Sequence, residues 1–354
     1  MPFLPLIGHD ALRERLDGQV SRGALPASLL LHGAPGIGKQ RLALWLGQRM
    51  LCEAPNAPCG ICQHCSYALQ GVHPDLRWYF PRPRLKDSSD VALEDVAREY
   101  AEAIAERSAA HGLYARADGS QGIYVYVARL IVHQAVSTPA MARRKIFVVG
   151  DAERMVPQLS SQEAANAFLK LLEEPPADTT IILTSSEPGA LLPTIRSRVV
   201  SVRVPALTDA ALRTFLAQPE AVAAVGKGAS TDELVLLAHG APGALIGAEN
   251  SGLALDRART LLNAARRGRE EAMRAAFVQG SSKARGQFAD VLDAMTVLLH
   301  ERSRDAARAG DGAVAAGAAR AVRFVEEAKR AAEGNGIPQL VTARLLGQLA
   351  ESGA

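Results

Sequence analysis

The first two hundred residues alternate between short apolar runs and amphipathic stretches. Apolar runs lie at Ser28–His32 ("SLLLH"), Lys145–Val149 ("KIFVV") and 180–184 ("TIILT"), and residues 199–204 ("VVSVRV") alternate in polarity. Short apolar runs bounded by turns are typical of buried parallel strands, whereas apolar positions at helical spacing along residues 42–50 predict a helix after the first strand. This order predicts an α/β domain with a parallel sheet.

Strand signals disappear after the alternating segment at 199–204, and from about residue 207 the pattern is helical throughout. The turn-rich "HGAPGA" at 239–244 divides this helical part into a short and a long segment. We therefore expect three domains: an α/β domain over 1–204, a small helical domain over 205–249 and a longer helical domain over 250–354.

One stretch, at 84–121, does not fit a compact α/β unit. It is charged, rich in alanine and partly helical in pattern ("VALEDVAREYAEAIAERSAA"). We interpret it as an insertion, and favour a solvated excursion over an added contact surface.

Composition places the 354-residue chain among globular proteins: 48% of its residues are hydrophobic and 22% are charged. No apolar run approaches the roughly 20 residues that a membrane helix needs, and the N-terminus does not have the pattern of a signal peptide. We expect a cytoplasmic protein without membrane contact.

The net charge of +3 is too small to indicate nucleic-acid binding. The basic residues Arg143, Arg144 and Lys145 either contact DNA phosphate or form a surface turn.

A glycine-rich loop follows the first predicted strand and precedes a predicted helix. Its sequence, "GAPGIGKQ", runs from Gly33 through Gly36, Gly38 and Lys39 to Gln40. Backbone N–H groups in such a loop bind phosphate oxygens, and the lysine adds a positive charge. This context favours a phosphate-binding loop over a glycine-rich turn with an incidental lysine.

Two positions argue against ATP hydrolysis. A phosphate-binding loop normally ends in Ser or Thr, whose hydroxyl binds Mg²⁺, and Gln40 is a poor replacement. At the end of the second predicted strand, Gly150 stands where a metal-orienting aspartate is usual, which leaves Asp151 and Glu153 in shifted positions. Asp151 has either a residual role at the nucleotide or none. Because phosphoryl transfer depends on a positioned metal, we expect these losses to cost orders of magnitude in rate.

All four cysteines fall within fourteen residues, in "CEAPNAPCGICQHC". Cys52, Cys59, Cys62 and Cys65 have the spacing C-x6-C-x2-C-x2-C. Four thiolates so close together predict a closed, tetrahedral and therefore structural Zn²⁺ site, although four free thiols or an iron–sulfur cluster also fit the spacing. The neighbouring His64 and His73 are interpreted as bystanders.

A third candidate site is "LLPTIRSRVVSV", in which Arg196 and Arg198 come at the end of a predicted short helix and just before a strand. A rigid scaffold could present such a guanidinium to a phosphoryl group on a neighbouring subunit. A surface salt bridge is the simpler interpretation of an arginine in this position.

Several segments together resemble the clamp-loader subunits of the AAA+ class. They are "LLLHGAPGIGK" (29–39), the cysteine insert (52–65), "GVHPDL" (71–76), "EAANAFLKLLEEPP" (163–176) and "LLPTIRSR" (191–198). The resemblance is strong over the α/β domain and rests only on length and pattern in the helical remainder.

The resemblance implies an AAA+ α/β domain, a helical lid and a C-terminal collar that joins subunits into a pentameric ring. The partners implied are motor ATPase subunits, a clamp-opening subunit, the sliding clamp and, through the complex, primed DNA. It also implies a non-hydrolysing stator in which ATP binding is weak or absent. The family's Ser-Arg-Cys motif, whose arginine acts on ATP of the adjacent motor subunit, maps onto Ser197, Arg198 and Val199.

The departures from the family pattern agree with a stator. A motor subunit should keep the metal-handling positions at Gln40 and Gly150, and the lid arginine that senses nucleotide would lie near Gly243, where this chain reads Pro-Gly-Ala. Two alternatives stay open: an active motor ATPase of the same family, and a zinc-dependent scaffold that reads nucleic acid. Against the latter, the cysteine segment has little basic or aromatic character.

Overall fold

The computed structural model describes residues 2–85, 91–115, 121–155, 162–225, 229–247, 251–277, 285–333 and 337–352. The strands are β1 (Ser28–His32), β2 (Leu76–Tyr79), β3 (Lys145–Val149), β4 (Thr179–Ser185) and β5 (Val200–Arg203). The helices in these ranges are α1 (Asp10–Ser21), α2 (Lys39–Leu51), α3 (Gln63–Gln70), α4 (Leu93–Ala109), α5 (Val125–Ala135), α6 (Gln162–Glu173), α7 (Pro193–Arg196), α8 (Asp209–Leu216), α9 (Pro219–Ala224), α10 (Thr231–Ala238), α11 (Ser251–Arg266), α12 (Arg269–Phe277), α13 (Arg285–Arg308), α14 (Gly312–Glu333) and α15 (Pro338–Ser352). None of these helices has both the length and the apolar character needed to cross a membrane.

The five strands form one parallel sheet in the order β2-β3-β4-β1-β5. Every residue of β3 and β4 is buried, as expected of central strands in a parallel sheet. The predicted parallel α/β domain is confirmed, and β1 and β3 have the predicted bounds. Because β1 is a strand of a parallel sheet, the loop that follows it emerges at the carboxyl edge, where ligands bind in open α/β folds.

Strand β2 is absent from the sequence prediction. It has only four residues ("LRWY"), and Arg77 interrupts its apolar pattern. Among the described residues, β2 pairs only with β3 and so lies at the edge of the sheet. An edge strand does not need the continuous apolar run of a central strand.

Asp75, which immediately precedes β2, organises the loop that leads into β3. Its buried carboxylate accepts hydrogen bonds from the backbone N–H groups of Ala140 at 2.7 Å, Met141 at 2.8 Å and Ala142 at 2.7 Å. Burial alone would raise the pKa of Asp75, but the three N–H donors hold it below its ordinary value. The "GVHPDL" segment therefore has a structural role here.

Helix α4 corrects the expectation that the insertion at 84–121 is a solvated excursion. Val96, Tyr100 and Ala103 on one face of α4 belong to the core of the α/β unit. The Tyr100 hydroxyl donates to the Phe80 carbonyl at 2.6 Å, and the guanidinium of Arg107 stacks on the ring of Phe80. An apolar stripe at helical spacing within the charged stretch explains this packing. Residues 86–90 and 116–120 lie outside the described residues.

The chain divides into two compact units, one formed by Met1–Ala221 with Gly240–Ile246 and the other by Val222–His239 with Gly247–Ala354. Helix α8 of the expected lid segment belongs to the first unit and α10 to the second. The division into three domains at residues 204 and 249 stays a prediction.

The second unit is helical in its described residues. Helices α13 and α14 pack along their length, and α11, α12 and α15 complete the bundle. Its core combines leucines such as Leu255, Leu292 and Leu345 with small residues such as Ala258 and Ala321. Small residues at the contact let helices approach closely, and the leucines fill the remaining space.

Asp75→Asn removes the charge that three buried N–H groups require, so we expect it to lower the free energy of unfolding at pH 7 by about 2 kcal/mol. Because the pKa of Asp75 is lower in the folded state than its ordinary 3.8, this stabilisation is present above about pH 3.8 and is lost as the pH falls through the lower folded-state pKa. Urea denaturation at about pH 7, 5 and 2.5 measures the difference. Asp10→Asn, at an exposed pair with Arg13, is the control and should cost at most about 0.5 kcal/mol. A difference of the same size at all three pH values would contradict the assignment.

Candidate functional site

The glycine loop joins β1 to α2, and its lysine is held within the loop itself. Lys39 is buried, and its ammonium donates to the carbonyls of Gly33 at 3.0 Å and Ala34 at 2.8 Å and to Ser186 Oγ at 2.9 Å. All three donors of an ammonium group are thereby used. A phosphate could recruit Lys39 only by replacing these bonds.

Gln40 fills the space beside the end of β3. Its side-chain Nε2 donates to Asp151 Oδ2 at 3.1 Å, and its Oε1 accepts from the indole N–H of Trp78 at 3.0 Å. A Cβ atom built on Gly150 would lie 2.4 Å from Gln40 Cδ, closer than carbon atoms approach. Gln40 and Gly150 are thus sterically matched, and a carboxylate at position 150 does not fit while Gln40 keeps this conformation.

Asp151 and Glu153 make contacts within the protein. Asp151 has a left-handed backbone conformation, and its N–H donates to Thr184 Oγ1 at 3.1 Å. Glu153 Oε1 accepts from the N–H of Ser186 at 2.9 Å. Burial and the nearby Glu153 raise the pKa of Asp151, while Lys39 opposes the rise.

The turn at Pro242–Ala244 lies directly on the glycine loop. The N–H of Gly243 donates to the carbonyl of Gly36 at 2.9 Å. A Cβ on Gly243 would lie 2.8 Å from Gly36 Cα, and a Cβ on Gly36 would lie 3.0 Å from the nitrogen of Ala244. Only glycine permits this approach, so the position where the family's nucleotide-sensing arginine was expected has no room for a side chain.

A pocket of 160 Å³ lies beside the loop. It is lined by residues of the loop, His9, Asp151 and Gly243, together with apolar side chains such as Phe215 and Ile246. The glycine loop thus borders a largely apolar space.

The four cysteines meet in space. The sulfur atoms of Cys52, Cys59, Cys62 and Cys65 all lie within 4.8 Å of one another, with 3.8 Å between Cys52 and Cys62 and 4.0 Å between Cys59 and Cys65. A tetrahedral ion with Zn–S bonds of about 2.3 Å requires sulfur atoms about 3.8 Å apart. A disulfide would need about 2.05 Å. The donor set therefore fits a tetrahedral, thiolate-preferring metal ion.

Backbone amides surround these sulfurs. The N–H groups of Cys59, Cys62 and Cys65 each point at the sulfur of a preceding cysteine, at 3.4 Å. The N–H groups of Cys62 and Ile61 lower the pKa of the Cys59 thiol to about 6, whereas burial raises the pKa of the Cys62 and Cys65 thiols. Among the described residues, no histidine belongs to the cluster. His64 instead lies 2.9 Å from His73 Nε2, and His73 Nδ1 accepts from the N–H of Asp75.

Arg198 follows α7 and is held at two of its nitrogen atoms. Its Nε donates to Glu173 Oε2 at 2.8 Å, and its Nη1 donates to the carbonyl of Thr194 at 3.0 Å and to Ser197 Oγ at 3.4 Å. The side chain of Arg198 is 29% exposed, whereas Arg196 and Ser197 are exposed. Arg198 is thus ordered at the surface by contacts within its own unit.

The basic turn before β3 is not a continuous cationic surface. Lys145 is buried, and its ammonium donates to the carbonyl of Ala135 at 2.6 Å and pairs with Asp178 at 3.6 Å. Arg143 pairs with Glu53 at 3.0 Å. Lys145 therefore has a structural role and is not a candidate for DNA contact.

Trp78, which bonds Gln40, and Glu173, which bonds Arg198, are among the site residues that the sequence pattern did not predict. Trp78 belongs to the strand that the apolar pattern did not reveal. Glu173 lies in the quoted "LLEEPP" segment, but its contact with Arg198 joins residues 25 positions apart. Separations of this kind become contacts only through the tertiary fold.

The family and its relatives were identified by comparison with known proteins. The family model described as "DNA polymerase III, delta subunit" matches residues 8–208, more than half of the chain. The delta-prime subunit of DNA polymerase III from Pseudomonas aeruginosa is 33% identical over 238 residues, which are 66% of this chain and 58% of that protein. The delta-prime subunit from Escherichia coli is 30% identical over 187 residues, which are 52% of this chain and 44% of that protein. The chain thus spans about half the length of these relatives.

A solved structure covers more of the chain at lower similarity. A protein from Thermotoga maritima related to the gamma subunit of DNA polymerase III aligns with 97% of this chain and 99% of its own, at 19% identity and a TM-score of 0.43. The family assignment rests on the sequence matches. This chain belongs to the DNA polymerase III delta subunit family, and within it is similar to the delta-prime subunits.

Proposed function

We propose that the chain is a non-hydrolysing stator of the DNA polymerase III clamp loader. In this role it works in the cytoplasm with motor ATPase subunits and a clamp-opening subunit, in a pentameric ring that opens the sliding clamp and loads it onto primed DNA. Family membership and the delta-prime relatives support the setting.

The observation that carries the stator role is the position of Gln40. Its amide lies between Trp78, Gly150 and Asp151, where an NTPase of this type needs a hydroxyl and a carboxylate to bind Mg²⁺. The contact between Gly36 and Gly243 and the internal bonds of Lys39 further limit the room for phosphate. These features disfavour the motor ATPase alternative and make ATP binding weak or absent.

In this role the chain acts through the charge of an arginine side chain on a nucleotide that is bound by a neighbouring subunit. Arg198 lies at the surface after α7, with Ser197 beside it. A guanidinium supplied to a neighbouring subunit stabilises negative charge on the phosphoryl group during transfer. Val199 in place of the family's cysteine leaves this role intact, because the guanidinium carries the charge.

We also propose a structural Zn²⁺ ion at Cys52, Cys59, Cys62 and Cys65. Four sulfur ligands complete a tetrahedral shell and leave no position for a substrate, so the ion would tie the end of α2 to the start of α3. The alternative of a nucleic-acid reader is disfavoured because residues 52–65 contain no lysine or arginine, and phosphate contacts dominate such binding.

The arginine proposal is tested with a clamp loader reconstituted from this chain and its partner subunits. We expect Arg198→Ala to lower the clamp- and DNA-stimulated rate of ATP hydrolysis at least tenfold, since known arginine fingers contribute about 10³ to 10⁵ in rate. Size-exclusion chromatography should show unchanged assembly. Arg196→Ala is the matched control, and the chain alone should show negligible turnover. If the isolated chain hydrolyses ATP and Arg198→Ala has no effect, the alternative of an active motor ATPase would be favoured.

The match between Gln40 and Gly150 is tested by adding a single methyl group. We expect Gly150→Ala to lower the free energy of unfolding by about 1–3 kcal/mol because the new Cβ collides with Gln40. In a Gln40→Ala background the same change should cost little, since the colliding atoms are gone. Urea denaturation measures all four proteins. Gly189→Ala, where a Cβ meets nothing within 4 Å, is the control. Equal costs in both backgrounds would refute the steric match.

The metal proposal predicts one zinc ion per chain, measured by plasma mass spectrometry on protein purified without added metal. Cys62→Ser should lose the ion and lower Tm by several degrees, because a structural site contributes to folding. His64→Ala, which changes a neighbour outside the sulfur cluster, should keep the ion. Iron with its visible absorbance, or metal-free protein of unchanged Tm, would contradict the assignment.

A further inference from the structure

A carboxylate on α6 holds the guanidinium of Arg198. Glu173 Oε2 accepts from Arg198 Nε at 2.8 Å. Glu173 is the last residue of α6, and Arg198 comes two residues after the end of α7. The pair thus joins two elements that β4 separates in the chain, so local sequence alone does not impose it.

The remaining bonds of Arg198 fix the plane of its guanidinium. Nη1 donates to the carbonyl of Thr194 and to Ser197 Oγ, as described above. In the described part of the chain, no residue accepts a hydrogen bond from Nη2. Nε and Nη1 are therefore both anchored, while Nη2 keeps its donors for an external acceptor.

The support beneath Glu173 is rigid. Phe168, Leu171 and Leu172 of α6 are buried in the core of the α/β unit. The buried hydroxyl of Ser28, the first residue of β1, donates to the carbonyl of Leu172 at 2.8 Å. This bond ties the carboxyl end of α6 to the central sheet. A side chain anchored on such a scaffold can hold a functional group within the small tolerance that catalysis demands.

Helix stability does not account for this glutamate. The carboxyl end of a helix carries partial negative charge, so an acidic side chain in the last turn is unfavourable there and a cation is favourable. The side chain of Glu173 is 56% exposed and that of Arg198 is 29% exposed. Solvent screens such a pair, so it contributes little to stability. What the contact does supply is orientation.

We propose that Glu173 is the positioning residue of Arg198. It holds the guanidinium so that Nη2 faces outward, towards a phosphoryl group of a nucleotide bound to an adjacent subunit. The inference rests on the proposed function of Arg198. Without Glu173 the long arginine side chain samples other rotamers, and the productive orientation is populated less often.

The test measures kcat and KM for ATP in the reconstituted loader with clamp and primed DNA. We expect Glu173→Ala to lower kcat about two- to fivefold, less than Arg198→Ala does, because the exposed ion pair is weak and a misplaced group loses only part of its effect. KM should stay within about twofold, as for an interaction made only in the transition state. The Tm of the chain and its assembly should be unchanged.

Three further variants separate positioning from general damage. Glu173→Gln should recover much of the rate, because its amide oxygen can still accept from Nε. Glu174→Ala changes the adjacent exposed glutamate and should behave as wild type. The Glu173→Ala/Arg198→Ala double variant should be no slower than Arg198→Ala alone, since Glu173 acts through that arginine.

The outcomes distinguish this inference from the proposed function. If Arg198→Ala lowers the rate and Glu173→Ala matches or exceeds wild type, the ion pair is a surface contact without a positioning role, or it holds Arg198 in an inactive conformation. In that case only the positioning role fails. If Arg198→Ala has no effect, the proposed function itself fails. A fall in rate with Glu173→Ala that Glu173→Gln does not relieve, or that persists in the Arg198→Ala background, would also overturn the positioning role.

Discussion

The state of the nucleotide site depends on the space between the start of α2 and the end of β3. Gln40 occupies that space with an uncharged amide, bonded on one side to Trp78 and on the other to Asp151. The absence of a side chain at Gly150 makes room for it. Interiors are packed so closely that a residue can occupy such a position only if its neighbour gives way. The Gln40 side chain can take this position only because Gly150, directly after β3, has no side chain.

A second close contact reinforces the first. Gly36 and Gly243 meet backbone to backbone, and Lys39 turns its charge towards carbonyl groups of its own loop. In a phosphate-binding loop the lysine ammonium would face an anion. Here its three donors are used by hydrogen bonds within the chain. This arrangement agrees with the non-hydrolysing role proposed above.

Two other sites, the cysteine cluster and Arg198, lie outside the pocket and are held by different interactions. The cysteine cluster is a local structure, built from fourteen consecutive residues whose amides and sulfurs face one another. Arg198 is ordered by the end of α6, which the core and the Ser28 hydroxyl hold in place. Rigid elements thus present a surface guanidinium. That combination suits the role proposed for Arg198 at a neighbouring subunit.

The sequence by itself determined the features that arise from local pattern. Apolar runs revealed the three strands of the sheet centre, glycine spacing revealed the loop after β1, and cysteine spacing revealed the sulfur cluster, because each depends on residues close together in the chain. The missed strand β2 and the buried face of α4 show the limit, since a short edge strand and a charged amphipathic helix carry weak local signals. Only the tertiary structure decided that Gln40 fits against Gly150, that Gly243 lies on Gly36 and that Glu173 holds Arg198. Each of these contacts joins residues far apart in the chain, and steric fit at such a distance exists only once the sheet and its helices have packed.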